Sequence, residues 1–302
     1  MNPQPTLESI TTFYPADYGP HQSVAANAAQ AADVPSTAVK SPWYLSGWAR
    51  ALPGLRGLYY WLTETKSEYL PDLPAGHPRA IEIGCASGKF LEVLRNGGWN
   101  AQGVELVPAP AAEARRRGFE VHQGTLADCQ FPPETFDAAF AYMVLEHLTD
   151  PLWTLQEFQR ILKPNGVLVF SVPNAGSWEP RLFGSYWRDY DLPRHLQHFT
   201  VNAIKAFLAK AEFTQVQIIH QTAVFGFTGS LGLALSKMFS RGTTANDRSS
   251  WYLENPPLWA HLSAAAFMRL VVPIFGSGRI TVVARKATTA TNQTEVIRPA
   301  AS

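Results

Sequence analysis

The sequence predicts an α/β protein built on a parallel sheet, and three observations carry that expectation. From position 79 onward, short apolar runs alternate with amphipathic runs of helical spacing, the pattern of repeated strand–helix–strand units. Gly97, Gly118 and the Pro164-Asn165-Gly166 triplet punctuate the ends of those runs. The 302 residues are 46% hydrophobic, 16% charged and carry a formal charge of +1. Such a chain has ample volume for a packed core, while its near-neutral charge disfavours nucleic acid as a partner. The low charge and the 12% aromatic content, with nine Trp, leave apolar surface suited to a greasy or sugar-like partner.

Taken in order, 80–83 forms the first strand and a helix runs from Lys89 to a stop at Gly97. A strand over 101–105 follows. The next helix, from about Pro110, ends on Arg115, Arg116 and Arg117, where positive charge suits the C-terminal dipole, and Gly118 stops it. Residues 119–122 and the apolar run 136–143 are strands. Asp150 caps a helix opened by Pro151, with Leu152, Leu155, Phe158, Ile161 and Leu162 on one stripe. Residues 164–166 turn it into a strand over 167–172. Thr200 caps a helix that faces Val201, Ile204, Phe207 and Leu208 inward, and 214–220 and 279–284 supply the last strands.

Between those two strands lies a long insertion, 223–278, rich in Phe, Leu, Trp and Gly, which reads as helices beside the sheet. His261, Arg269 and Pro273 interrupt 258–275, so a membrane span is not expected there. Trp259, Phe267 and Met268 read as core, or with Phe225, Phe227 and Leu231 as an acceptor groove or peripheral membrane contact. Residues 1–40 read as a mobile arm with an aromatic patch at Phe13, Tyr14 and Tyr18. A helix is expected between 55 and 70, 41–286 as the main domain, and 287–302 as a disordered polar tail. The two cysteines, Cys85 and Cys129, lack metal or disulfide spacing, and the N-terminus lacks a signal-peptide pattern, so a cytoplasmic location is expected.

The strongest local signal is Ile81-Glu82-Ile83-Gly84-Cys85-Ala86-Ser87-Gly88, a buried strand ending in a turn of small residues that opens a helix. Small residues let main chain approach a nucleotide-like ligand, and Glu105 ends the next strand where a carboxylate can accept from both ribose hydroxyls. A triphosphate loop would need another residue before Gly88 and a Ser or Thr after Lys89, where Phe90 stands. The dinucleotide fingerprint would need a third glycine.

With these residues the chain resembles the class I S-adenosylmethionine-dependent methyltransferases. Glu82, Gly84 and Gly88 match their first motif, and Ala86 departs from it. The likeness continues through Glu105, Asp128, the run 136–140, Leu145-Glu146-His147 and 162–166, covering about 55–221. It implies a Rossmann-like, mostly parallel seven-stranded sheet with helices on both faces and an antiparallel last strand. It implies S-adenosylmethionine as cofactor, with Gly84, Cys85 and Gly88 bordering the methionine part, Glu105 on the ribose, Asp128 on the adenine amino group, and Leu126 and Tyr142 flanking the ligand. Glu82, Ala86 and Leu106 complete that set. Taken singly, Glu105 reads as a solvated strand-end carboxylate and Asp128 as a turn residue; taken together they read as cofactor contacts.

A narrower resemblance joins 187–200 to methyltransferases of bacterial glycan and secondary-metabolite clusters, where that segment lies over the acceptor. It implies acceptor contacts from Trp187, Tyr190 and Arg194, with Tyr14 and Tyr18 as a lid. His195, with His147 as its rival, is the expected general base, because imidazole titrates near neutrality. His147 serves equally as a helix start, and His195 as a tie for the Pro193 turn. His195 and His198 lack a third ligand, so no metal is expected. The expected function is methyl transfer, to oxygen, of a glycan, lipid-linked or small secondary-metabolite acceptor; the alternative is a non-catalytic scaffold in which Ala86 marks a degraded site.

Overall fold

The computed structural model describes residues 69–239 and 258–287. The expected arm 1–40 with its Tyr14 and Tyr18, nearly all of the helix expected between 55 and 70, and positions 288–302 lie outside the described residues. Seven strands form one sheet among the described residues: β1 Arg79–Ile83, β2 Asn100–Glu105, β3 Glu120–Gln123, β4 Phe136–Tyr142, β5 Leu162–Pro173, β6 Phe213–His220 and β7 Arg279–Lys286. Their order is β3-β2-β1-β4-β5-β7-β6. The first five pair in parallel, and β7 runs antiparallel between β5 and β6. The helices are α1 Lys89–Asn96, α2 Pro108–Arg116, α3 Leu126–Cys129, α4 Pro151–Ile161, α5 Trp178–Phe183, α6 Val201–Lys210, α7 Val224–Phe239 and α8 Leu258–Phe275.

The near-continuous apolar runs of β4 and β5 need cover on both sides, and they receive it. On one face Leu155, Phe158 and Ile161 of α4 and Ile204 and Leu208 of α6 pack on Ile81, Phe170 and Val282. On the other, Leu91 and Leu94 of α1 and Ala111 and Ala114 of α2 pack on Ala80, Phe140 and Val169. Chain order reverses between β1 and β4, so the connections leaving their carboxyl ends splay apart and open a crevice there.

Three local features differ from the sequence expectation. Leu162 ends the α4 stripe by becoming the first residue of β5, paired with Phe136; the register then slips, so that Ala138 meets Val167. The expected turn at 164–166 is therefore an irregularity inside a longer strand, with Asn165 at φ 63°. The short helices α3 and α5 are too brief to show helical periodicity in sequence. In the insertion, α7 and α8 pack through Val224, Phe227, Ala264 and Ala265. Met268 is buried as expected, whereas Trp259 and Phe267 are exposed, together with Leu270 and Ile274. No helix among the described residues is long and apolar enough to cross a membrane.

The insertion is tied to the sheet by buried acids. Glu179 of α5 accepts from the Gly278 N–H at 2.7 Å, immediately before β7, and Arg279 reaches Asp189 at 3.2 Å. Burial pushes the Glu179 carboxyl up to about 7. A carboxyl raised in the fold keeps its proton there while the unfolded chain loses it, so stability falls as pH rises from the ordinary 4.5 towards 7. The Glu179→Gln chain, which keeps the acceptor for Gly278, should therefore gain thermal stability over wild type at pH 8 and much less at pH 5. Equal gains at both pH values, read by calorimetry, would contradict the assignment.

Candidate active site

The turn after β1 is built for close approach. The Gly84 and Cys85 amides both donate to the Val104 carbonyl, at 2.8 and 3.2 Å, and the Gly88 N–H donates to the Cys85 carbonyl at 2.9 Å. Gly84 has φ 71°, and a Cβ placed on it would lie 2.7 Å from the Val144 Cγ2. In β2, a Cβ on Gly103 would lie 2.4 Å from the Cys85 sulfur, so glycine there makes room for the thiol. Burial, with Glu82 and Glu105 nearby, holds that thiol far above its usual range, which makes Cys85 a packing residue and no nucleophile.

Glu105 closes this turn. One carboxylate oxygen accepts from the Ala86 N–H at 2.9 Å, the other from the Val107 N–H at 2.8 Å. Ala86 holds the left-handed conformation at φ 45° that its family position usually gives to glycine. Each Glu105 oxygen has one main-chain donor and two lone pairs, so the carboxylate can still accept from a ribose diol. These residues fit S-adenosylmethionine. Leu106, 50% exposed, offers an apolar face beside that carboxylate, while Leu126 is buried in the core. Glu82 is buried in mid-sheet, level with Gly103 and Phe140. Tyr142 ends β4, edge-on to Phe90 with ring centres 4.8 Å apart, and its hydroxyl donates to the Tyr69 carbonyl at 3.3 Å.

Asp128 does a job that the sequence did not assign. Its Oδ2 accepts from both the amide and the hydroxyl of Thr125 at 2.7 Å, capping α3. Those bonds hold its carboxyl below the usual range. A capping aspartate at the rim remains compatible with an adenine contact through its other oxygen.

A second group of residues lies beyond β4, where a 3₁₀ turn spans Leu145–His147. The Glu146 carbonyl accepts from the Leu196 and Gln197 amides at 2.7 and 3.0 Å, fastening the 187–200 segment to that turn. His195 Nδ1 lies 2.7 Å from the Asp189 carbonyl and His147 Nδ1 lies 3.1 Å from the Arg194 carbonyl. A carbonyl only accepts, so each ring carries its proton on Nδ1 and its lone pair on Nε2. The two rings meet edge to face at 4.7 Å. His195 Nε2 is 4.0 Å from Glu146 Oε1 and 3.8 Å from Asp191 Oδ2. Glu146 is 0% exposed, and neither of its carboxylate oxygens has a hydrogen-bond partner. Burial pushes Glu146 up to about 8 and His147 down to about 4, and lowers His195 as well.

Two acceptor assignments need correction. Trp187 is 2% exposed and sits edge-on to Tyr190 at 4.9 Å. Its large apolar ring is spent on the core, so it braces Tyr190 and offers no face for stacking. Arg194 forks onto Asp191, with Nε donating at 2.9 Å, so its guanidinium is committed within its own loop. His198 turns its Nε2 to the Tyr190 carbonyl at 3.1 Å, away from His195. Glu146 was not assigned a role from sequence; its only signal there was an acid beside a histidine directly after a buried strand.

A family model described as a methyltransferase domain matches residues 57–218. A probable S-adenosylmethionine-dependent methyltransferase of Mycolicibacterium smegmatis is 29% identical over 150 residues, 48% of this chain and 58% of that one. A malonyl-[acyl-carrier protein] O-methyltransferase of Serratia marcescens is 29% identical over 136 residues, 44% and 52% of the two chains. A ubiquinone biosynthesis O-methyltransferase of Histophilus somni is 29% identical over 171 residues, 47% and 71% of the two chains. The chain thus spans little more than half the length of the first two relatives. Among solved structures, the [4+2]-cyclase SpnF overlays with a TM-score of 0.49 at 19% identity, covering 95% of this chain and 98% of that one.

The turn geometry carries a stability test. Gly84→Ala places a Cβ in the left-handed region and against Val144, and should cost about 2–4 kcal/mol in urea unfolding. Adding Val144→Ala should recover the steric part. A Gly84→Ala chain as stable as wild type would show that the turn relaxes freely.

Proposed function

From the premise that this chain belongs to the class I S-adenosylmethionine-dependent methyltransferases, as its methyltransferase-domain match shows, we propose that it methylates a hydroxyl on a glycan, lipid-linked or small secondary-metabolite acceptor. The observation that carries the reading is the Glu105 carboxylate, fixed by two main-chain amides at the carboxyl edge of the sheet. Bound cofactor supplies a sulfonium methyl already activated for displacement. The protein's task is then alignment, with Glu105 and the 84–88 turn holding the nucleoside end and the His147–His195 group facing the acceptor.

His195 is the base in this reading. Asp189 fixes its ring and tautomer, leaving Nε2 to take the acceptor proton, with His147 beside it. Oxygen as the methylated atom draws support from two of the relatives above, whose names describe O-methyltransferases. An apolar or lipid-linked acceptor draws support from the exposed Trp259, Phe267, Leu270 and Ile274 of α8. The scaffold alternative rested on Ala86, yet Ala86 takes the turn conformation and donates to Glu105.

Glu105→Ala should weaken S-adenosylmethionine binding about 10- to 100-fold by calorimetry, the worth of charge-assisted hydrogen bonds. Unchanged affinity would remove the ribose assignment. The acceptor is found by incubating the chain with methyl-labelled cofactor and fractionated extract, then following the label. With that acceptor, His195→Gln should slow turnover about 100-fold or more while leaving cofactor affinity intact. Normal turnover in His195→Gln beside a dead His147→Gln would pass the role to His147.

A further inference from the structure

Taking the reading above of the His147–His195 group as the acceptor side of the site, we propose that Glu146, His147 and His195 hold a divalent transition-metal ion that binds the acceptor hydroxyl. The donor atoms of these three residues all lie within 4.8 Å of one another. Two imidazoles and one carboxylate are a donor set that suits zinc and its neighbours and leaves a coordination position open for substrate. Glu146 and His147 are neighbours in the turn after β4, and the fold brings His195 to them from the loop before α6, 48 positions downstream of His147.

Three further observations point to an ion. First, both histidines are held in the tautomer a metal needs, since main-chain carbonyls of Asp189 and Arg194 take the Nδ1 protons and direct the lone pairs to Nε2. Metal-binding histidines are characteristically oriented in this way by an acceptor behind the ring. Second, Glu146 is completely buried with both oxygens unpartnered. A buried carboxyl group without a hydrogen-bond partner is costly, and a cation that takes it as a ligand removes that cost. The nearby cation Arg279 is spent on Asp189, and Arg194 on Asp191. Third, the frame is already assembled, because the Glu146 carbonyl is bonded to the two amides that follow His195.

The closing distance is small. Tetrahedral donors around zinc stand about 3.4 Å apart, against 4.0 Å between His195 Nε2 and Glu146 Oε1. No two donors of the set stand more than 4.8 Å apart, so each pair must draw in by no more than about 1.4 Å. His147, half-buried where Glu146 and His195 are buried, marks the open side. In the reaction, the coordinated acceptor O–H gives its proton to solvent and the oxygen forms a bond to the methyl carbon. The carbon–sulfur bond breaks with its electron pair going to sulfur. The ion lowers the pKa of the hydroxyl, and because the Nε2 lone pair of His195 is then on the ion, the metal replaces the base role given to His195 above.

The test uses the full chain, freed of metal by dialysis against a chelator. Zn²⁺ is titrated by calorimetry and Co²⁺ by its visible absorption, with S-adenosylmethionine affinity measured on the same samples. Wild type should take up one ion per chain, with X-ray absorption counting two imidazoles on it. Glu146→Gln and His195→Gln should weaken that binding 100-fold or more, and His198→Gln should leave it unchanged. Absence of stoichiometric uptake by wild type, fewer than two imidazoles, or equal affinity across folded variants would each overturn the proposal. The wild-type measurements decide the matter even if a variant fails to fold. A chain that binds the cofactor but no metal overturns this inference and leaves His195 as the base; a chain that binds metal but not the cofactor keeps the ion site and sinks the methyl-transfer reading.

Discussion

The carboxylate of Glu105 is the constraint from which the turn at the carboxyl end of β1 takes its shape. Its two oxygens accept from amides of two neighbouring connections, Ala86 in the turn after β1 and Val107 at the entry to α2. Without it, the amide of a residue in the left-handed region would face the crevice without an acceptor. The Val104 carbonyl adds a second tie, taking two amides of the same turn. The turn is thus held by the end of β2, and it can tolerate alanine where glycine is usual because hydrogen bonds over-determine its conformation.

The position of the histidine group is set by what that turn touches. Gly84 lies against Val144, the residue just before the Leu145–His147 turn, so the position of the small-residue loop and that of the histidines are mechanically joined. Glu146 continues the chain of contacts through its carbonyl to Leu196 and Gln197. From Glu105 to His195 the steps are hydrogen bonds and packed contacts, which tie the small-residue turn to the histidine group. For displacement at an activated methyl, fixed separation is most of what a protein can contribute.

Much of this was legible in the sequence because it is local. Ile81 to Gly88 announces a strand, a tight turn and a helix within eight residues, and Asp150-Pro151 and Thr200 announce helix starts by side-chain chemistry that needs no tertiary partner. The strand count and the last strand's direction came with the family resemblance and hold. What was not legible depends on contacts distant in sequence. Trp187 reads as a stacking platform until the fold buries it against Tyr190. His195 and His147 read in sequence as rival bases, but only the fold shows their rings meeting across 48 positions, and only the fold turns the neighbouring His198 to Tyr190. Arg194 looked available until Asp191 claimed its guanidinium. Glu146 carries no periodic or motif signal that marks it as wholly buried.

The placement of the insertion follows from sheet topology alone. Because β7 runs antiparallel to β5, its first residue, Arg279, pairs with Pro173 at the carboxyl end of β5. Whatever precedes β7 is therefore delivered to the edge of the sheet that holds the crevice, and here that is α8. The junction is sealed by buried polar contacts: Asn174 donates to the Ser277 carbonyl, Gly278 donates to Glu179, and Arg279 pairs with Asp189, whose own carbonyl orients His195. The residue that ties down the insertion is thus the one that sets the tautomer of the histidine. A parallel strand in the place of β7 would have entered from the opposite edge and left that histidine without this support, so the antiparallel last strand is what allows an apolar helical pair to be built at the sheet edge that carries the polar group of Glu146, His147 and His195.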